Sequence, residues 1–156
     1  MTDNPFWDWS LDCYASPGVK DALLVLQDRH GLDVNLMLWC LWLAEKGREP
    51  GPALSPAIDI AQDWTRRVTG PVRSARREAR KADDAADLYQ GLLSCELAAE
   101  RVLQDRLVEF WPHCPATSAP PELQAHSALQ AYAEHCGYAD GFDGLITAVF
   151  APRETV

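Results

Sequence analysis

The sequence lacks any apolar run long enough to cross a bilayer. The longest, Val34 to Ala44, is well short of the ~20 residues a spanning helix needs and contains Asn35. It also lacks the basic and apolar regions of a secretory signal, because Asp3, Asp8 and Asp12 stand where those regions belong. No stretch shows sustained period-2 alternation, so no sheet is expected, and no internal repeat is visible. A glycine-rich phosphate loop, a Glu-x-x-His pair, Cys-x-x-Cys spacing and a nucleophile elbow are all missing. These absences leave catalytic residues, metal and cofactor all set at none. The five cysteines (Cys13, Cys40, Cys95, Cys114, Cys136) are odd in number and without framework spacing. Cys40 and Cys95 fall in apolar helical patterns, where a reduced thiol acts as a small hydrophobe, so a cytoplasmic location is expected.

What is present is a globular composition. The chain has 156 residues, 47% of them hydrophobic, with six Trp, which fits one domain over 1–156 with a frayed tail at 152–156. The net charge of −9 favours solubility and argues against a general coat for nucleic acid. Asn4-Pro5, Ser16-Pro17 and Ser55-Pro56 offer an N-cap followed by proline, Asp33 can cap a further helix, and Gly31 and Gly47 stand where helices end. The pattern predicts helices over about 5–15, 17–30, 33–46, 55–82, 84–111, 121–136 and 141–150. The 33–46 helix is apolar on nearly every side, so an all-α bundle of six to seven helices should form around it.

The helix expected over 55–82 has the most unusual charge. Ala61, Trp64, Val68, Val72, Ala75, Ala79 and Ala82 make one stripe that runs through Gly70-Pro71 in phase, so a kink at Pro71 is expected. Arg66, Arg73, Arg77 and Arg80 lie opposite the stripe, with Arg67, Arg76 and Lys81 on its flanks. Seven basic residues and one acid between Trp64 and Lys81 give a local +6, which leaves −15 on the rest of a chain of net −9. An outward row of guanidinium groups suits phosphates or acidic protein surfaces. Arg66, Arg73, Arg76, Arg77, Arg80 and Lys81 are therefore the candidate partner-binding residues. The bland alternative is a solvated face balanced by neighbouring acids. Few aromatics lie between the arginines, which argues against base stacking.

A second candidate is a polar pocket of Gln27, Asp28, His30, Asn35, Glu96 and Glu100. His30 continues the stripe Val19, Leu23, Leu26, although helix capping by His30, Gly31 and Asp33 accounts for much of that corner. Glu96 falls inside the apolar arc of the 84–111 helix (Leu88, Leu92, Cys95, Ala99, Val102, Leu103, Leu107, Phe110), and Glu100 lies near its edge. A carboxylate there must be paired, protonated or bound; Arg73, Arg76 or His30 are the partners at hand. Asp59 and Asp63 repeat the four-residue spacing, which would suit a metal only if the two pairs faced each other. Asp83-Asp84-x-x-Asp87 spells a prenyl-diphosphate motif, but an acidic first helical turn explains it more cheaply. His113-Cys114 and His135-Cys136 read as two unrelated pairs.

Phe6-Trp7-Asp8-Trp9-Ser10, Tyr14-x-x-Pro17-Gly18-Val19, the run Leu26 to Asn35, Trp64 with its Arg-rich continuation, and Glu96-Leu97-x-x-Glu100-Arg101 resemble a family of small proteobacterial proteins whose domain has no known function. The resemblance implies a bacterial, cytosolic, helical protein and supplies no activity. The expectation is thus a non-enzymatic binding or adaptor protein that engages an acidic protein or nucleic-acid backbone. The competing class is a small metal- or acid/base-dependent enzyme built on Glu96, Glu100 and the Asp28/His30 corner. The Trp-rich first helix is a candidate face for homodimerisation.

Overall fold

A computed structural model of the chain describes residues 3–152. The tail expected over 152–156 lies outside the described residues, apart from Pro152. The described residues form helices α1 (Pro5–Ala15), α2 (Val19–His30), α3 (Val34–Glu45), α4 (Leu54–Trp64), α5 (Gly70–Arg80), α6 (Ala86–Val108), α7 (Pro121–Cys136) and α8 (Asp143–Phe150). No strand occurs among them, only an isolated antiparallel bridge between Arg48 and Ala116. No helix among them is long and apolar enough to cross a membrane.

Helix ends follow local chemistry. The Asn4 side chain accepts the Trp7 N–H at 3.0 Å and Pro5 supplies a fixed φ at the first position. Asp33 caps α3 by accepting from Leu36 N at 3.1 Å. Gly31, at φ +68°, ends α2 and sends its N–H to the Gln27 carbonyl. Two expected starts are corrected. Helix α2 begins at Val19, after Gly18 at φ +82°, and not at Ser16-Pro17. Helix α4 grows out of a 3₁₀ turn over Gly51–Ala53, so Ser55-Pro56 lies within its first turn.

Eleven of the twelve residues of α3, Val34 through Ala44, are buried, because α1, α2, α4, α6 and α7 all pack on it. Phe6 stacks on Trp42 with ring centres 5.2 Å apart, and Trp42 meets Trp111 at 5.0 Å. Trp7 and Trp9 of the first helix are half-buried. Leu103 and Leu107 of α6 complete the core from one side, and Leu129 and Tyr132 of α7 from the other.

Helices α4 and α5 form one continuous helical path, as the unbroken stripe implies, but its irregularity precedes Pro71. Residues Thr65–Thr69 make a π turn, closed by Gly70 N–H to the Thr65 carbonyl. Pro71 has no N–H to return to the preceding turn, and the wider i to i+5 register accommodates that loss. Gly70 is required there, since a Cβ would stand 2.7 Å from the Thr65 carbonyl oxygen. The extra residue in the turn changes which face of α5 points inward. Thr69, outside the expected stripe, is buried; of the stripe's residues on α5, Ala79 is buried, Val72 is half-buried and Ala75 is exposed, as is Ala82 beyond the helix. The stripe of α6 is likewise incomplete: Leu88, Cys95 and Val102 are exposed.

Candidate functional site: a charged groove

The π turn aims Arg73 and Arg76 at α6, and their side chains are only 16% exposed. This corrects the expected outward row of arginines: these two are not surface cations. Arg73 Nε donates to Glu96 Oε1 at 2.9 Å, and Arg76 Nε donates to Glu96 Oε2. Burial pushes the Glu96 pKa up, but the hydrogen bonds from Arg76 and Arg73 outweigh it and hold the carboxyl below its usual range. Both Glu96 oxygens are therefore engaged by guanidinium groups.

One turn further along α6, Glu100 has a weaker partner, Arg73 Nη2 at 3.7 Å. Burial first, and the adjacent Glu96 charge second, raise its pKa to about 7. Tyr14 of α1 belongs to the same cluster, its phenol pushed up by burial and then by the Glu100 and Glu96 charges. A further turn on, buried Gln104 accepts from Ser10 Oγ at 3.1 Å and donates to Asn35 Oδ1 at 2.9 Å. Residues 96, 100 and 104 thus form one polar face of α6, tied to α1 and α3.

These groups line a groove of about 920 Å³ between α1 and α2 on one side and α5 and α6 on the other. The two candidate sets from the sequence converge on it. Arg73, Arg76, Arg77, Arg80 and Lys81 line it, as do Gln27, Asp28, Asn35, Glu96 and Glu100. Arg77 Nη2 reaches Asp28 Oδ1 at 3.1 Å, an ion pair between α5 and α2 in which both side chains are half exposed. Lys81 pairs with Glu78 at 2.9 Å. Arg80 is exposed and has no ion pair among the described residues.

Two predicted members lie elsewhere. Arg66 is on the π turn and, with Arg67, is paired to Asp63 at the surface. His30 does not continue a buried stripe into the pocket. It is exposed at the end of α2, with its ring 4.7 Å from that of Tyr138. Of the Asp59/Asp63 pair, Asp63 is held by Arg66 and Arg67 at the surface. Among the described residues no group of three His, Cys, Asp or Glu side chains could hold a metal ion.

Sequence reasoning missed Trp7, Ser10, Leu11, Tyr14, Lys20 and Gln104 as groove residues. A signal existed for some of them. Positions 7, 10, 11 and 14 share one face of α1, and Gln104 continues the four-residue step from Glu96 and Glu100.

The fold and the groove define a helical bundle with a mixed-charge cleft lined by α1, α2, α3, α5 and α6. The chain belongs to the family described as Protein of unknown function (DUF2390), whose model matches residues 5–107. Every residue lining the groove lies within that stretch, which ends in α6. Neither a curated protein nor a solved structure matches the chain.

Proposed function

We infer that this protein is a non-enzymatic binding protein whose groove engages an acidic partner. One observation carries the reading: on a chain of net −9, the groove gathers six cations, Lys20, Arg73, Arg76, Arg77, Arg80 and Lys81, against four acids, Asp28, Glu78, Glu96 and Glu100. The balance is +2, and +3 when Glu100 is protonated, as it is for half the molecules at about pH 7. Arg73 and Arg76 are spent on Glu96 and serve as framework. The contacting cations are Arg77, Arg80, Lys81 and Lys20, which face solvent on both sides of the cleft. Low-dielectric walls concentrate such a field and favour anionic ligands over the rest of an acidic surface. Glu96, with both oxygens engaged, is a poor metal ligand or base, which weakens the competing enzymatic reading built on Glu96, Glu100 and the Asp28/His30 corner.

The test is fluorescence anisotropy with a labelled poly-glutamate peptide and a labelled DNA oligonucleotide, at about 50 mM and about 500 mM salt, concentrations that bracket weak and strong screening. The wild type binds at least one probe at low salt and releases it at high salt. The triple variant Arg77→Glu, Arg80→Glu, Lys81→Glu loses binding with unchanged circular dichroism and Tm. The reading is wrong if neither probe binds at low salt, or if the triple variant binds as the wild type does.

A further inference from the structure

The groove carries more than charge. Leu11 of α1 is 50% exposed and Leu97 of α6 is 52% exposed, and both line it together with Leu24 and Leu93. Half-exposed leucines flanked by cations make an amphipathic cleft, with an apolar bed and a basic rim. A nucleic-acid backbone has no use for the leucines. The two aromatic rings of the groove that could stack bases each already have a cation beside them: Arg101 lies 4.9 Å from the Trp7 ring centre and Lys20 lies 6.0 Å from that of Tyr14. No strand edge is present among the described residues for an extended peptide to join.

Helical ridges, by contrast, are what a partner helix packs on. Leu93 and Leu97 stand four apart on α6, and Trp7, Leu11 and Tyr14 stand four and three apart on α1. A helix is about 10–12 Å across with a 5.4 Å pitch, so a groove of 920 Å³ holds about three to four turns of a half-immersed helix. Asp28 already places a carboxylate on Arg77, in the position a partner's acid would take.

Building on the anionic-partner reading above, we propose that the groove binds an acidic amphipathic helix of another protein, seating its apolar stripe on Leu11 and Leu97 and its carboxylates on Arg77, Arg80 and Lys81. The mode is helix-in-groove recognition, in which apolar anchors at i, i+3, i+4 and i+7 supply affinity and flanking charge sets orientation.

The experiment is selection on the full-length chain from a displayed library of peptides about 18 residues long, five helical turns, randomised between acidic and apolar residues. Enriched sequences show apolar residues at helical spacing with acids beside them. Leu11→Asp and Leu97→Asp each weaken the selected peptide by about tenfold or more, as expected for central anchors. Both positions are half exposed, so the variants keep their fold, checked by circular dichroism and Tm. A scrambled peptide of the same composition binds about tenfold or more weakly than the selected one. Enrichment of acidic peptides without helical period, equal binding of the scrambled peptide, or full binding by both leucine variants overturns the helix seat while the anionic groove stands. A duplex DNA oligonucleotide binding more tightly than any selected peptide assigns the groove to nucleic acid and also overturns it. Failure of every anionic probe removes the anionic reading itself.

Discussion

Glu100→Gln removes one ionisable group from the groove and alters little else. In the folded chain Glu100 titrates at about 7, against an ordinary value of 4.5. The difference is equivalent to about 3 kcal/mol between the two protonation states, an upper figure because the side chain is 27% exposed. The sign follows from the neutral acid being the form favoured by burial. Below the ordinary value both states hold the proton and Glu100 has no effect. Between the two values the unfolded chain ionises while the folded chain does not, and stability falls by up to about 1.4 kcal/mol per pH unit. Above about pH 7 the loss is complete and levels off. Glutamine has no such titration, so the variant matches the wild type near pH 4.5 and exceeds it by up to about 3 kcal/mol at about pH 8. For a chain of 156 residues that is roughly 6–12 °C in Tm. Urea unfolding followed by circular dichroism, at several values between about pH 5 and pH 8, measures the difference directly. Glu96 shifts the opposite way and acts in both proteins, so it largely cancels in the comparison. A gap between the two proteins that stays constant across this range would show that Glu100 does not titrate there.

Other expectations follow from the same geometry. Asp28→Asn frees Arg77, and since exposed ion pairs are worth about 0.2–1 kcal/mol, affinity for a poly-glutamate probe should rise by about 1.4- to fivefold; weaker binding in an anisotropy titration would contradict Asp28 as a competitor for the cation. Gly70→Ala sets a methyl 2.7 Å from the Thr65 carbonyl oxygen and should cost about 1–3 kcal/mol in urea unfolding, whereas an unchanged midpoint would mean that the turn yields freely. The Thr69 hydroxyl is buried without a hydrogen-bond partner, so the nearly isosteric Thr69→Val should be neutral or stabilising by up to about 1 kcal/mol, and a clear loss of stability would reveal a bond it makes.

Much of the frame was legible because its determinants are local. Asn4, Asp33 and Gly31 act within a few residues of themselves, and α3 announces its central place by having no polar face. The isolated position of Glu96 in an apolar arc demanded a partner, and two of the named candidates, Arg73 and Arg76, supply it. The aim of those arginines was not legible. A constant helical increment through Thr65–Thr69 misses the π turn, and a proline reads as a kink before it reads as a change of register. The convergence of the two candidate sets was hidden for a different reason. It depends on how α5 lies against α2, a tertiary relation that no periodicity within either helix encodes.

The five-residue turn before Pro71 uncouples the length of a rod from its bearing. One residue adds about 1.5 Å along an α-helix but about 100° around it. Deleting a single codon within Thr65–Thr69 would therefore shorten the α4–α5 arm by little more than the width of a bond while swinging both guanidinium groups off their shared carboxylate. Steering by residue count in this way would let one scaffold present these two arginines either inward, bound to a carboxylate, or outward as free cations, with no change to any charged side chain.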